Sequence, residues 1–125
     1  MKRMMIALLM GMALFVVGTQ AQSVEAARYF DHGVEEMERG RNVDALKYFR
    51  TARKAADRSQ VSPEFRAMIH YNTGVCLYRL GERAAAEREY RTALRLKNGR
   101  YEKAFYALGV VRSERGINSA RAANQ

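Results

Sequence analysis

Apolar and small residues recur at intervals of three and four along most of the chain, and charged residues fill many of the positions between them. Ala45, Phe49 and Ala52, for example, fall on a single face of a helix at this spacing. The pattern predicts helices over 23–39, 43–57, 63–80, 83–97 and 101–115, followed by a short helical segment from 117. The sequence has no strand-like alternation of apolar and polar residues, so we expect an all-α fold.

The N-terminal residues differ in character from the rest of the chain. Lys2 and Arg3 precede a continuous apolar run, and the small residues Thr19 and Ala21 follow it. This arrangement predicts a signal peptide over 1–21, cleaved after Ala21, and an exported protein that is periplasmic or secreted. The alternative is an N-terminal membrane anchor, although the run is shorter than the roughly 20 residues that span a bilayer.

Glycines mark an internal repeat. Seven glycines follow residue 22, and six of them form three pairs with a spacing of seven residues, namely Gly33 and Gly40, Gly74 and Gly81, and Gly109 and Gly116. The pairs recur at intervals of 41 and 35 residues, which indicates successive copies of one structural unit. We expect the first glycine of each pair to lie where a neighbouring helix comes closest. The second is predicted to end its helix in the left-handed conformation.

The first two glycine pairs are followed, at the same offset, by the pattern A-x3-[F/Y]-x2-A. Its members are Ala45, Phe49 and Ala52 in the first copy, and Ala86, Tyr90 and Ala93 in the second. Because two small residues flank one ring, a neighbouring helix can approach closely with the ring as a wedge. Three local signals bound the helices: Asn42 as an N-cap, Ser62 with Pro63 as a helix start, and Asn98-Gly99 as a turn.

These positions resemble the tetratricopeptide repeat (TPR), a helix–turn–helix unit of about 34 residues with the motif W-x2-L-G-x2-Y, then A-x3-F, then proline. The matching segments are Tyr29-x2-His32-Gly33-x2-Glu36, His70-x2-Thr73-Gly74-x2-Leu77 and Phe105-x2-Leu108-Gly109-x2-Arg112. The chain departs from the motif at Arg121, which replaces the third alanine, and at Asp57 and Asn98, which replace the proline. The resemblance implies a short α-solenoid of antiparallel helix pairs in a TPR domain over 22–125. Its units would cover about 26–59, 67–100 and, partially, 102–125, or about two and a half repeats.

By this resemblance, the first helix of each unit lines a concave groove that binds a peptide or protein partner. The implied groove residues are Phe30, Val34, Met37, Glu38, Met68, Tyr71, Val75, Tyr78, Arg79, Lys103, Tyr106, Val110 and Glu114. Aromatic residues, Met and Arg are the types enriched at interface cores. Alternatively, the same stripe packs against a second copy or the C-terminal tail. The carboxylate clamp of chaperone-binding family members is not expected, because only Asn72 and Lys103 match its residue set.

The chain is basic, and apart from Lys2 and Arg3 in the predicted signal peptide, all of the excess charge lies in its second half. Lys and Arg number 22 against 13 Asp and Glu, for a net charge of +9. Residues 22–65 hold 8 basic and 8 acidic residues, whereas residues 66–125 hold 12 and 5. Arg88, Arg91 and Arg95 share one helix face, which could meet an anionic envelope surface. The alternative is a solvated face, with Glu87 pairing to Arg91 four residues on.

Residues for catalysis are scarce. The two histidines, His32 and His70, are too few for a zinc site even with Glu36. Cys76 is the single cysteine, which excludes an internal disulfide and indicates a buried apolar filler rather than a nucleophile. Phosphate-binding glycine loops are absent from the sequence. We therefore expect no enzyme activity, cofactor or metal.

The predicted function is that of an exported, non-catalytic TPR adaptor or scaffold. The predicted export disfavours nucleic acid as a partner despite the basic charge. Two alternatives remain: a self-associating structural subunit of an envelope assembly, which would be a homodimer, and a shortened relative of a longer TPR protein.

Overall fold

The computed structural model describes residues 23–125, and the predicted signal peptide lies outside this range. Five helices follow one another: α1 over 23–38, α2 over Asn42–Asp57, α3 over Pro63–Arg79, α4 over Arg83–Leu96 and α5 over Glu102–Ala123. No strand occurs among the described residues, so the expected all-α fold is confirmed. The first four helices end within one residue of their predicted bounds. None of the five is both long and apolar enough to cross a bilayer.

The helices form a short solenoid of antiparallel pairs. Tight turns join α1 to α2 and α3 to α4, and each turn reverses the chain. The two helices of each pair then pack side by side, as Phe49 on Gly33 shows for the first pair and the α3–α4 contacts show for the second. The second helix of one pair then packs against the first helix of the next, as α2 does on α3 and α4 does on α5. The predicted α-solenoid is therefore confirmed, and α5 stands at its end.

Two of the three predicted glycine stops are confirmed. Gly40 and Gly81 have φ angles of 76° and 82°, in the left-handed region where a residue without Cβ is favoured. In both turns the next amide bonds back to a carbonyl of the last helical turn, at 2.9 Å from Arg41 N to Glu36 O and 2.9 Å from Glu82 N to Leu77 O.

The predicted stop at Gly116 is wrong. This residue is helical, and α5 continues through it to Ala123. Among the described residues no second helix lies beside this part of α5, so no packing interaction requires the chain to turn back. The turn at Asn98 and Gly99 is confirmed, with φ angles of 51° and 77°.

The two predicted N-caps have different outcomes. Ser62 accepts a hydrogen bond from the Phe65 amide at 3.2 Å, and Pro63 begins α3, as predicted. The assignment of Asn42 as a cap is wrong, because α2 begins one residue earlier than expected. Arg41 occupies the cap position without a side-chain hydrogen bond, and the side-chain amide of Asn42 donates to the Gly40 carbonyl at 3.4 Å instead.

Aromatic rings lie directly against the first two repeat glycines. A Cβ atom built on Gly33 would lie 2.5 Å from a ring carbon of Phe49, and one built on Gly74 would lie 2.6 Å from a ring carbon of Tyr90. Both rings are buried. Glycine therefore lets each pair of helices approach closely enough to enclose the ring. The corresponding prediction for Gly109 is wrong, since this glycine is exposed and nothing would lie within 4 Å of an added Cβ.

The core is built largely from alanine and single aromatic rings. Its buried members include Ala26, Phe30, Ala45, Leu46, Phe49, Ala52, Ile69, Cys76, Leu77, Ala86, Tyr90, Leu108 and Val111. A second small cluster of Ala67, Ala93 and Ala104 lies where α3, α4 and α5 meet. Small side chains allow close helix packing, which compensates for the modest volume of the core.

Two arginines of α3 donate hydrogen bonds to backbone carbonyls at the C-terminal ends of α2 and α1. Arg66 donates to the Ala56 carbonyl and to the Asp57 carboxylate, both at 2.8 Å. Arg79 donates to the Met37 carbonyl at 3.2 Å. Cations at these positions satisfy the last free carbonyls of α2 and α1 and complement the helix dipoles. They fix α3 against the first helix pair.

Gly74→Ala is expected to destabilise the protein, because its new methyl group would overlap the enclosed Tyr90 ring. Overpacking of this kind costs about 1–3 kcal/mol, more than the roughly 1 kcal/mol that alanine gains over glycine in a helix. Gly109→Ala is the matched control and should raise the free energy of unfolding by about 1 kcal/mol, because its site is open. Urea denaturation measures both. Equal effects of the two substitutions would contradict the packing role of Gly74.

Candidate partner-binding groove

A groove of about 290 Å³ lies between α3 and α5, with one side chain of α4 at its floor. Its lining residues are Tyr71, Val75, Tyr78, Tyr90, Lys103, Tyr106, Ala107 and Val110. The α3 members are spaced four and three residues apart, which places them in one row along the helix. The α5 members at 103, 106 and 110 are spaced three and four residues apart, which also places them in one row. Two helical rows thus face one another across an open, mainly aromatic surface.

Neighbouring groups hold the α3 tyrosines in place. The Tyr71 ring packs against Tyr90 and Tyr101, with centroid distances of 5.8 and 5.3 Å. The Tyr78 hydroxyl donates to Glu114 at 2.7 Å, and this hydrogen bond raises the pKa of Tyr78. Burial raises the pKa of Tyr90. Tyr71 and Tyr78 are therefore held in place before any partner binds, which limits the entropy lost on binding.

The charged side chains beside the groove differ in whether they are paired: Arg83 and Glu114 bind each other, whereas Lys103 has no ion-pair partner among the described residues. Arg83 Nε lies 2.8 Å from a Glu114 carboxylate oxygen, and its guanidinium carbon lies 5.5 Å from the centroid of the Tyr78 ring. The hydrogen bonds from Tyr78 and Arg83 lower the pKa of Glu114. Lys103, in contrast, is exposed and has no ion-pair partner within residues 23–125. The groove thus offers an accessible cation at one end.

The structure brings together six of the predicted groove residues, namely Tyr71, Val75, Tyr78, Lys103, Tyr106 and Val110. It adds Tyr90 and Ala107, which the sequence pattern did not assign to the groove. Tyr90 was predicted as an inter-helix wedge, and its ring does fill that position. The Tyr90 ring also lines the groove, next to Tyr71. The sequence pattern does not distinguish a ring that only packs between helices from one that also lines the groove.

The predicted groove residues of α1 lie elsewhere. Phe30 is wrong as a groove residue, because it is buried against Phe49 and Phe65 at centroid distances of 5.7 and 5.5 Å. Val34 and Met37 are half-buried and pack against the core. The groove described above therefore begins at the second helix pair.

Three further residues from the predicted set do not line the groove. Met68 is 41 % exposed on α3, and Glu38 is exposed on α1. Arg79 is directed to the first helix pair, where it donates to Met37 and approaches the Asn42 side chain at 3.5 Å. Its role is to join the two pairs.

The predicted arginine face of α4 is present. Arg88, Arg91 and Arg95 are exposed, and with Arg112 of α5 they line a shallow surface depression of about 560 Å³ between the two helices. We call these four residues the arginine edge. The predicted pairing of Glu87 with Arg91 is confirmed. The positive charge of the edge is therefore partly compensated from within the fold.

Glu87 is the buried anion beneath the arginine edge. It is 4 % exposed and binds Arg91 of its own helix together with Arg112 and Arg115 of α5. Burial by itself would raise the pKa of Glu87, but the hydrogen bonds from Arg112 and Arg115 and the charge of Arg91 outweigh it and lower the pKa. The cluster links α4 to α5. The sequence pattern did not reveal the α5 partners, because their contact with Glu87 depends on the angle at which the helices cross.

The histidines and the cysteine occupy structural positions. His70 Nδ1 lies 2.6 Å from a Glu89 oxygen, and the His32 ring lies 5.5 Å from the Tyr48 ring on the surface. Residues 23–125 contain no group of three potential metal ligands. Cys76 is buried, as predicted, and burial raises the pKa of its thiol to about 11.

Comparison of the chain with known protein families, with curated proteins and with solved structures gives no match. The function must therefore be inferred from the residues and their geometry.

Glu87→Gln should destabilise the protein at neutral pH, because three guanidinium groups would lose their carboxylate. The arginines are about half exposed, which limits the expected loss to about 1 kcal/mol. Since folding lowers the pKa of Glu87, the stabilisation is present above its ordinary value of 4.5 and is lost as the pH falls further. Thermal unfolding at several pH values should show the two proteins converging in acid. Glu38→Gln, at an exposed site of α1, is the control and should have little effect at any pH.

Cys76 should resist alkylation by iodoacetamide in the folded protein, because its thiol is buried and protonated at neutral pH. Labelling is expected to rise in urea along the same transition as the loss of helical circular dichroism. Rapid modification of the native protein would contradict the buried position, and Cys76→Ser provides the background signal.

Proposed function

We propose that the protein is a non-catalytic binding module of the TPR type, which docks a segment of a partner protein in the groove between α3 and α5. The observation that carries this proposal is the row of ordered aromatic side chains facing Tyr106 and Val110 across an open groove. Tyrosines fixed by neighbouring contacts are favourable anchors, since they lose little conformational freedom on binding.

The internal repeat supports the TPR assignment. In both complete helix pairs the motif aromatic lies on the motif glycine, and both left-handed stops fall at the second glycine. This agreement between spacing and packing is what a repeated helix–turn–helix unit requires.

The size of the groove favours a peptide segment over a small molecule. Its volume of about 290 Å³ is at the lower limit of typical small-molecule pockets, and it is open along its length. We infer that it accommodates one or two apolar or aromatic side chains of a partner. Lys103 would attract an acidic residue next to them.

The proposed setting is the cell envelope. The predicted signal peptide supports export to the periplasm or secretion, with an N-terminal membrane anchor as the alternative. No nucleic acid, metal or cofactor is part of this proposal. Contact of the arginine edge with an anionic envelope surface is a secondary proposal, which the internal pairing with Glu87 weakens.

Tyr106→Ala should weaken peptide binding about tenfold or more, because its ring is 75 % exposed and forms one wall of the groove. Peptides selected from a random linear library on the immobilised protein would serve as probes, and fluorescence anisotropy would give the dissociation constants. The selected peptides are expected to combine an apolar or aromatic residue with an acidic one.

Phe105→Ala is the matched control, since Phe105 is the adjacent residue, is 69 % exposed and does not line the groove. It should leave the affinity of the selected peptides unchanged. Both variants should fold, because neither ring is part of the core. Failure to select any saturable binder, or equal losses in the two variants, would refute the assignment of the groove.

A further inference from the structure

The arginine edge carries more positive charge than the fold compensates. Its four residues line one depression, and Glu87 binds two of them, Arg91 and Arg112. Arg88 has no ion-pair partner within residues 23–125, and Arg95 donates to a threonine hydroxyl at 3.2 Å rather than to a carboxylate. Two exposed guanidinium groups of the edge can therefore still bind carboxylates.

Three arginines of the edge form a row along α4. Arg91 follows Arg88 by three residues, and Arg95 follows Arg91 by four, so the row is about 10 Å long. Like charges at these spacings lie close together and destabilise a helix. A bound helix with carboxylates at the same spacing would replace this repulsion by attraction, so the spacing is the feature that an occupant has to match.

The matching row occurs in this chain, on α1. Asp31, Glu35 and Glu38 are exposed and are spaced four and three residues apart, which places them on one face of the helix. Asp31 and Glu38 have no ion-pair partner within the described range, and Glu35 lies 3.8 Å from Nδ1 of His32. We call Asp31, Glu35 and Glu38 the acidic row.

The charge of α1 as a whole is opposite to that of the chain. Residues 23–38 contain five acidic residues and one basic residue, in a chain with a net charge of +9. The acidic row lies on the first helix pair and the arginine edge on the second pair and α5. No ion pair joins them within the described part of one molecule. Contact between the two surfaces therefore requires two copies of the chain.

The two rows coincide when the helices lie antiparallel. In this orientation each row has a spacing of four and then three residues, so all three charges fall opposite one another. The resulting pairs are Asp31 with Arg95, Glu35 with Arg91 and Glu38 with Arg88. In a parallel orientation the middle pair would be displaced by one residue, or about 1.5 Å along the axis.

We propose that two copies of this chain associate through these surfaces, with the acidic row of one copy lying antiparallel on the arginine edge of the other. Charge complementarity at a matched spacing favours this occupant over an anionic membrane, whose headgroups have no fixed spacing. The edge is also a depression, of about 560 Å³, which suits a row of side chains better than a flat surface. The contact is independent of the proposed function, because it uses no residue of the α3–α5 groove.

The association is expected to be weak and sensitive to salt. Exposed ion pairs each contribute little, so the dissociation constant should lie between about 1 µM and about 1 mM. Sedimentation velocity of the full protein should show a rising average mass over this range. Raising the ionic strength from about 0.1 M to about 1 M shortens the screening length from about 10 Å to about 3 Å. The association should then weaken about tenfold or more.

Two variants each remove one side of the contact. One variant carries Asp31→Asn, Glu35→Gln and Glu38→Gln, and the other carries Arg88→Gln and Arg95→Gln. All five residues are exposed, and neither arginine contacts Glu87, so circular dichroism should show that both variants fold. Each variant alone should self-associate at least about tenfold more weakly than the unmodified protein.

Mixing the two variants should restore association. The first variant retains the arginine edge and the second retains the acidic row, so the mixture should form a complex of one copy of each. The control variant carries Arg50→Gln and Lys54→Gln, which remove two exposed cations from α2 and change the net charge as the edge variant does. It should self-associate like the unmodified protein.

Three results would overturn the proposal. The first is an unmodified protein that stays monomeric up to about 1 mM. If such a monomer bound phosphatidylglycerol vesicles and lost this binding with Arg88→Gln and Arg95→Gln, an anionic membrane would be the occupant instead. The second is an equal loss of association in the control variant, which would identify net charge as the cause. The third is a mixture of the two variants that associates no better than either alone.

Discussion

The contact between an aromatic ring and a glycine is the interaction on which this fold depends. Phe49 on Gly33 and Tyr90 on Gly74 each bring two helices closer than any side chain at the glycine would permit. The alanines on either side of each ring then become buried, and a core of small volume is packed closely. The spacing of the helices within each pair follows from these two contacts.

The sequence predicts the features that depend only on residues within one repeat unit. The glycine and alanine spacing predicted the helix pairs and two of the three left-handed stops, because each depends on residues within a single unit. The repeat spacing also predicts a helix stop at Gly116 and a close helix contact at Gly109, and both predictions are wrong. Each feature requires a neighbouring helix, and no described helix lies beside these residues. A periodic pattern indicates which face a neighbour can cover, but it does not show whether the neighbour is present.

The sequence predicts the α3 and α5 residues of the candidate groove correctly but not those of α1, for a similar reason. The rows on α3 and α5 were found because their spacing alone identifies one face of each helix. Phe30 occupies the corresponding position in the first repeat unit, yet the Phe65 ring from the start of α3 covers it. This contact depends on how the first helix pair is joined to the second, which the spacing within one helix does not determine. The cluster around Glu87 was half predicted, since the pairing with Arg91 is set by helical spacing, whereas Arg115 reaches it only through the packing of α5 on α4.

The last two turns of α5 have a consequence for the energetics of recognition. From Gly116 to Ala123 every residue is exposed, so this segment lacks the tertiary contacts that stabilise most helices in proteins, and a short unsupported helix is only marginally stable in water. Its amides should therefore open well below the free energy of global unfolding. A molecule that binds along this segment would have to hold it in the helical state. The conformational entropy lost in doing so offsets part of the favourable contact energy. Such a complex is therefore expected to dissociate rapidly.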